Sequence, residues 1–168
     1  MYFDEEDHLY KLDEQKLEKL LLNPKIQNMP VSLISINGAF RKGKSFFMSF
    51  LIDYLKNDEK VDWDNENKII DGFKFKSGTK RQTNGIHIWS RAFIKEREDG
   101  KKIAFLLIDT QGLFDTKSTI KESANIFALT ILTSSTFIYN LHQQIQEDDL
   151  HNLLVFNFFK ENNHTLIF

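Results

Sequence analysis

Leu12, Leu17, Leu20 and Leu21 recur at helical spacing beside Asp13, a residue suited to cap a helix start, and Asn23-Pro24 ends the stripe. After Pro30 the run Val31-Ser32-Leu33-Ile34-Ser35-Ile36, rich in β-branched residues, predicts a strand. It leads directly into Gly38-Ala39-Phe40-Arg41-Lys42-Gly43-Lys44-Ser45, and the apolar clusters from Phe46 to Leu55 then predict a helix. The polar stretch from Asn57 to Asn67 reads as a surface loop. Ile86, Ile88 and Ser90 alternate with His87, Trp89 and Arg91, which predicts a strand continuing through Ile94. Glu98-Asp99-Gly100-Lys101 supplies a hairpin turn. The returning run Ile103–Ile108 is apolar without alternation, as a strand buried on both faces should be, and it ends at Asp109. A helix from about Thr119 to Leu132, a strand around Phe137-Ile138-Tyr139, a helix from about Glu147 to Phe159 and the start of another core strand at Thr165–Phe168 complete the pattern. The fold class expected is α/β, a mostly parallel sheet with one antiparallel hairpin at its edge.

Composition narrows the classes without choosing among them. In 168 residues, 41% hydrophobic and 27% charged, there is enough apolar matter for one domain with a core, and the balance excludes disorder. A net charge of -2 gives no broad basic field for nucleic acid or an anionic membrane. The absence of Cys removes disulfides, thiolate metal sites and a Cys nucleophile together. No apolar run approaches a membrane span, and the acidic N-terminus, Asp4-Glu5-Glu6-Asp7, is no signal peptide, so the segment reads as soluble and cytoplasmic.

Chemistry enters with the loop. Gly38 to Ser45 fits the phosphate-loop pattern, four residues between Gly38 and Gly43 and then Lys44-Ser45, set between a predicted strand and helix. Glycines let backbone N–H groups turn toward phosphates, and the helix N-terminus adds its partial positive charge. Lys44 would place an ammonium on the β- and γ-phosphates, and the Ser45 hydroxyl would ligate Mg²⁺. Asp109-Thr110-Gln111-Gly112 follows a buried strand, so Asp109 can hold the same Mg²⁺ while the Gly112 N–H meets the γ-phosphate. Alone, that tetrapeptide reads equally well as a strand-ending turn, and it gains weight when paired with the loop in this order. Thr83, in Arg81-Gln82-Thr83-Asn84-Gly85, is a better candidate than Thr79 for the hydroxyl that completes the Mg²⁺ shell, because it abuts Gly85 and the strand.

With these three segments together, the chain resembles the atlastins, membrane-fusing GTPases of the dynamin superfamily. The likeness is carried by Gly38 to Phe46, by Arg81-Gln82-Thr83-Asn84-Gly85-Ile86-His87-Ile88-Trp89-Ser90, by Leu107-Ile108-Asp109-Thr110-Gln111-Gly112 and by Gln146-Glu147-Asp148-Asp149-Leu150. Guanylate-binding proteins share the architecture, usually with Glu where Gln111 stands, and are the nearer alternative. The resemblance implies a phosphate-loop GTPase fold, with residues 1–30 a leader carrying a short helix and residues 31–168 the N-terminal portion of a large GTPase domain. It implies GTP as substrate, Mg²⁺ as cofactor, homodimerisation through that domain, and endoplasmic reticulum membrane fusion from the cytoplasmic face in the whole protein. Gly38, Ala39, Phe40, Arg41, Lys42, Gly43, Lys44, Ser45, Phe46, Gln111 and Gly112 would line the nucleotide. Ser45, Thr83 and Asp109 would hold the metal, and Arg41, Lys44 and Thr83 would act in catalysis. Arg41 matches the family's arginine finger in cis. The place of the water-orienting Gln of small GTPases holds Leu113, which also leaves the charge to Arg41. The guanine-reading Arg-Asp pair would follow Phe168.

Other readings carry less. A nucleotide-binding or dimerisation module without turnover fits the same motifs, whereas a phosphate-loop kinase or ATPase does not account for Thr83-Asn84-Gly85 ahead of the hairpin. Asp62, Asp64 and Glu66 mimic the start of a calcium loop but lack its Gly and its closing Glu. His8, His87, His142, His151 and His164 show no zinc spacing.

Overall fold

A computed structural model describes residues 1–4, 6, 9–57, 71–74, 83, 85–112, 119–141, 145, 147 and 165–167. The central strand is β3 (Val31–Gly38), following a hairpin of β1 (Tyr2–Asp4) and β2 (Leu9–Lys11) and a helix α1 (Glu14–Leu21). Asp13 caps α1 by accepting from the Lys16 amide at 3.2 Å. After β3 come α2 (Lys44–Lys56), β4 (Ile86–Ile88), β5 (Phe93–Glu96), β6 (Lys102–Thr110), α3 (Ile120–Thr133), β7 (Thr136–Asn140) and β8 (Thr165–Ile167). The large sheet runs β4-β6-β3-β7-β8, with β5 also paired to β6. Pairings among β6, β3, β7 and β8 are parallel, while β4 and β5 are antiparallel to β6. This is the α/β fold of a phosphate-loop GTPase, as the hydrophobic pattern and the likeness together predict. Of the predicted helix from Glu147 to Phe159 only Glu147, and of the Asn57–Asn67 loop only Asn57, fall within the described residues.

Strand parity explains the two cores. Ile34 and Ile36 on β3, Leu107 on β6 and Ile138 on β7 turn to one face, where Met48 and Ile52 of α2 meet them with Phe73. The opposite face receives α3. There Phe127 and Ile131 pack on Phe137 and Tyr139, with the Phe127 and Phe137 rings edge-on at 5.3 Å. Further along the same face Ile126 meets Ile86 and Ile108, and Met1 and Tyr10 of the leader cover that cluster. A sheet dressed on both faces needs no polar alternation, which is why β6 reads as an unbroken apolar run.

Two features differ from the predicted pattern. The strand expected from Ile86 through Ile94 is two strands. Ile88 stands opposite Ile108 and Phe93 opposite Phe105, so five steps along one chain match three along the other. The two surplus residues are thrown out of the ladder between β4 and β5, a bulge that a period-two pattern does not reveal. The β1–β2 hairpin was not signalled either, because strands of three residues are too short for alternation to show.

Candidate functional site

The phosphate loop leaves the carboxyl end of β3, between two parallel neighbours. Ile36 stands opposite Asp109 on β6, and Gly38 stands opposite Asn140 on β7, so the loop begins with an acid on one side and an amide on the other. The Asn140 side chain donates to the Lys42 carbonyl at 2.6 Å and pins the far arm of the loop. Ala39 is exposed, Phe40 and Lys42 are half-buried, and Arg41 is exposed with φ 62°, the left-handed region that L side chains seldom occupy. The Arg41 guanidinium lies over the Phe40 ring, 4.9 Å from its centroid.

Gly43 caps α2 without a side-chain acceptor, and the Phe47 amide makes its helical bond to the Gly43 carbonyl at 2.8 Å. The first-turn amides therefore have no capping side chain, the arrangement that favours an anion at a helix start. Lys44, only 5% exposed, reaches back and donates to the Ala39 carbonyl at 2.9 Å. Phe46, on the same turn, is exposed.

Beneath the loop, three oxygens converge. Leu107 and Asp109 share the β6 face that meets α2, so the carboxylate points at the first turn of that helix. The Ser45 hydroxyl donates to Asp109 Oδ2 at 2.6 Å and the Thr83 hydroxyl donates to the same atom at 3.0 Å, with 3.4 Å between the two hydroxyl oxygens. Asp109 Oδ1 is buried with no hydrogen-bond partner. Burial raises the Asp109 pKa above the ordinary carboxylate value, against the opposing effects of the two hydroxyls, Lys44 and His87. Among the described residues no three His, Cys, Asp or Glu side chains gather, so the donors here are one carboxylate and two hydroxyls. A hard, oxygen-only set with an orphaned carboxylate oxygen fits Mg²⁺ that takes the rest of its shell from water and phosphate.

Gly112 brings the second motif against the loop. A Cβ there would lie 2.4 Å from Phe40 Cα, so only glycine permits this approach. Gln111 is fully buried, but its side-chain oxygen accepts from the Gly85 amide at 2.8 Å rather than facing the loop. A cavity of about 850 Å³ between α1 and β4 touches this centre only at Thr83. The centre is therefore located by convergent oxygens, not by volume. Thr79, Arg81, Gln82, Asn84, Leu113 and Gln146, like Asp62, Asp64, Glu66, His8, His142, His151 and His164, lie outside the described residues.

Polar side chains of β3 and α3 support the loop from behind, an arrangement absent from the expected site. The Asn37 side chain accepts from the Gly38 amide at 3.0 Å and donates to Thr130 on α3 at 2.9 Å, while Ser35 and Ser134 share a bond of 2.6 Å. The available signal was parity: Ser35 and Asn37 alternate with Ile34 and Ile36, so β3 carries polar groups toward α3.

Comparison with known proteins agrees with this arrangement. Residues 7–164 match the family described as guanylate-binding protein, N-terminal domain. The chain is 47% identical over 152 residues to Atlastin-1 of Bos taurus, covering 90% of this chain and 27% of that protein. It is 46% identical over 153 residues to Atlastin-2 of Homo sapiens, covering 90% of this chain and 26% of that protein. The chain thus spans about a quarter of the length of the curated relatives it matches. A phosphate loop between parallel strands, an acid at the end of the neighbouring strand and a family match over nearly the whole length lead to one assignment: the chain belongs to the guanylate-binding protein N-terminal-domain family, of the atlastin type, within the dynamin-superfamily GTPases.

Proposed function

We propose that this domain binds GTP with Mg²⁺ and hydrolyses the bond to its γ-phosphate. The observation that carries the reading is the meeting of Ser45 and Thr83 on Asp109 Oδ2, with Oδ1 buried and unpartnered, directly under the phosphate loop. Ser45, Thr83 and Asp109 would hold the ion, which when bound neutralises phosphate charge. The chain's own groups do the rest. The first-turn amides of α2 and the loop from Gly38 to Phe46 cradle the phosphates, and Lys44 supplies an ammonium to the β- and γ-oxygens. The Gly112 amide, held close to Phe40 of the loop, would meet a terminal phosphate oxygen, with Gln111 holding that segment. Arg41 is free to swing from Phe40 toward charge that develops as the bond breaks.

In the whole protein this chemistry would drive homotypic fusion of endoplasmic reticulum membranes from the cytoplasmic face, with two such domains pairing. Kinship to Atlastin-1 and Atlastin-2 supports that extension. The second reading, a module that binds or dimerises without turnover, separates from the first by a hydrolysis assay on the full-length protein.

Lys44→Ala tests the site. Because the ammonium serves phosphate in ground and transition states alike, fluorescent GTP titration should show affinity falling by roughly 100-fold or more. Unchanged affinity would remove the phosphate loop from the reading.

A further inference from the structure

The two segments that flank the oxygen cluster are tied to each other by one side chain. Gln111 lies two residues beyond Asp109, and Gly85 lies two residues beyond Thr83. The Gln111 side-chain oxygen accepts from the Gly85 amide at 2.8 Å, and the Gln111 amide donates to the Gly85 carbonyl, also at 2.8 Å. A third body then closes over this tie. The Tyr10 hydroxyl, from β2, donates to the same Gln111 oxygen at 3.4 Å. The nitrogen of Met1 donates to the Ile86 carbonyl at 2.9 Å, and the Ile86 amide donates to the Met1 carbonyl at 3.0 Å, so the leader is tied to the start of β4. Gly85 has φ 88°, and a Cβ on it would meet the Met1 carbonyl oxygen at 2.6 Å and Tyr2 Cα at 3.2 Å. The leader can seat here only because residue 85 has no side chain.

Building on the GTPase reading above, we propose that the N-terminal hairpin is a brace for the reaction, fixing the spacing of Thr83 and Gly112 through Tyr10, Gln111 and Gly85 as positioning residues. Thr83 and Gly112 ride on different segments, yet both would address the terminal phosphate. Their separation is set where the segments are joined, at Gly85 and Gln111. Loosening that joint leaves the phosphate loop, Lys44 and the start of α2 in place, so ground-state binding persists. What falls is the fraction of time in which both groups stand correctly, and misplacement near 1 Å can cost about 100-fold in rate.

The test uses Gly85→Ala and Tyr10→Phe in the full-length protein, with three readouts: amide exchange at Ile86 and Gln111, GTP-analogue affinity, and single-turnover hydrolysis. Gly85→Ala should speed exchange at both amides by about tenfold or more. It should lower turnover by roughly 10- to 100-fold while affinity stays within about threefold. Tyr10→Phe keeps the ring packed against the Ile86, Ile108 and Ile126 cluster and removes only the hydroxyl, so it should shift the same readouts the same way, more weakly. It also carries the test if the glycine variant fails to fold. Faster exchange with unchanged turnover would overturn the proposal, leaving the leader as cover alone. Equal losses of affinity and turnover would overturn it too, because the joint would then be a ground-state contact. If the unmodified protein does not hydrolyse GTP, the functional reading falls, yet unaltered exchange in both variants would still refute the brace by itself.

Discussion

Burial lowers the pKa of the Lys44 ammonium from 10.5 to about 8, with the Asp109 charge pulling the other way. The unfolded chain keeps that proton up to the ordinary value, so between about 8 and 10.5 the unfolded state binds more protons than the folded one. Stability of the nucleotide-free domain should therefore rise with pH across that window, an effect read as the denaturant midpoint against pH. Lys44→Met, which removes the titration, should flatten the rise. A triphosphate favours the charged ammonium, so GTP affinity should weaken as pH climbs through the same range. Arg41 makes a different case. It is exposed, stacked on Phe40 and held at φ 62°, a conformation that costs a bulky residue roughly 1–2 kcal/mol. Arg41→Ala should leave GTP affinity within about tenfold while single-turnover hydrolysis falls by about 10³–10⁵ if the residue is the finger. No change in turnover would make it a surface residue. That Ser45 and Thr83 would come together with Asp109 was legible in the sequence, since each stands beside a predicted strand or helix end. Gln111 was expected among the nucleotide contacts, and the structure turns its side chain to Gly85 and Tyr10. That placement depends on where the leader docks, which no local pattern encodes.

Helix α3 shows how much an element can announce. Thr119 accepts from the Glu122 amide at 3.1 Å and the Glu122 carboxylate accepts from the Thr119 amide at 2.8 Å, a reciprocal cap visible as Thr-x-x-Glu. Thr119→Ala should cost about 1 kcal/mol in chemical denaturation. A loss below the measurement error would mean that packing alone sets where α3 begins. The helix α1 was equally readable from Asp13 and its leucines. By contrast, the break between β4 and β5 is decided by the partner strand. The Trp89 amide still donates to the Leu107 carbonyl at 2.9 Å, and only then does the chain leave the ladder. Alternation in a single segment records which faces are buried, not how many residues the neighbour offers. The β1–β2 hairpin was hidden for a related reason: Met1 finds its partner at Ile86, and nothing within residues 1–11 points there.

At the scale of the molecule, β3 is the pivot. The chain passes from β6 through α3 to β7, stepping across β3, so the two parallel neighbours of β3 diverge where their connections part. Open α/β sheets place their ligand crevice at such a point, and the phosphate loop occupies it. The fold class was legible because strands and helices alternate along the chain and β6 carries an apolar run. The polar rungs behind the loop were not, since a serine or asparagine in a strand looks the same whether it meets water or a helix. Those rungs have a consequence of their own. Ser35 meets Ser134 and Asn37 meets Thr130, two residues apart on the strand and four on the helix. The strand advances about 6.6 Å over its two residues and the helix about 6 Å over its four. The two scales coincide like the marks of a vernier, and they coincide at one setting only. Sliding α3 by a turn would strand the buried Ser35 hydroxyl and Asn37 amide nitrogen against apolar surface, at about 1–3 kcal/mol for each group left unpaired, while Thr130 and Ser134 keep their bonds to carbonyls of the helix itself. Helix, β3 and the root of the phosphate loop are thereby indexed as one rigid tooth, so a displacement near the loop falls to the segments around it rather than to a ratchet of α3.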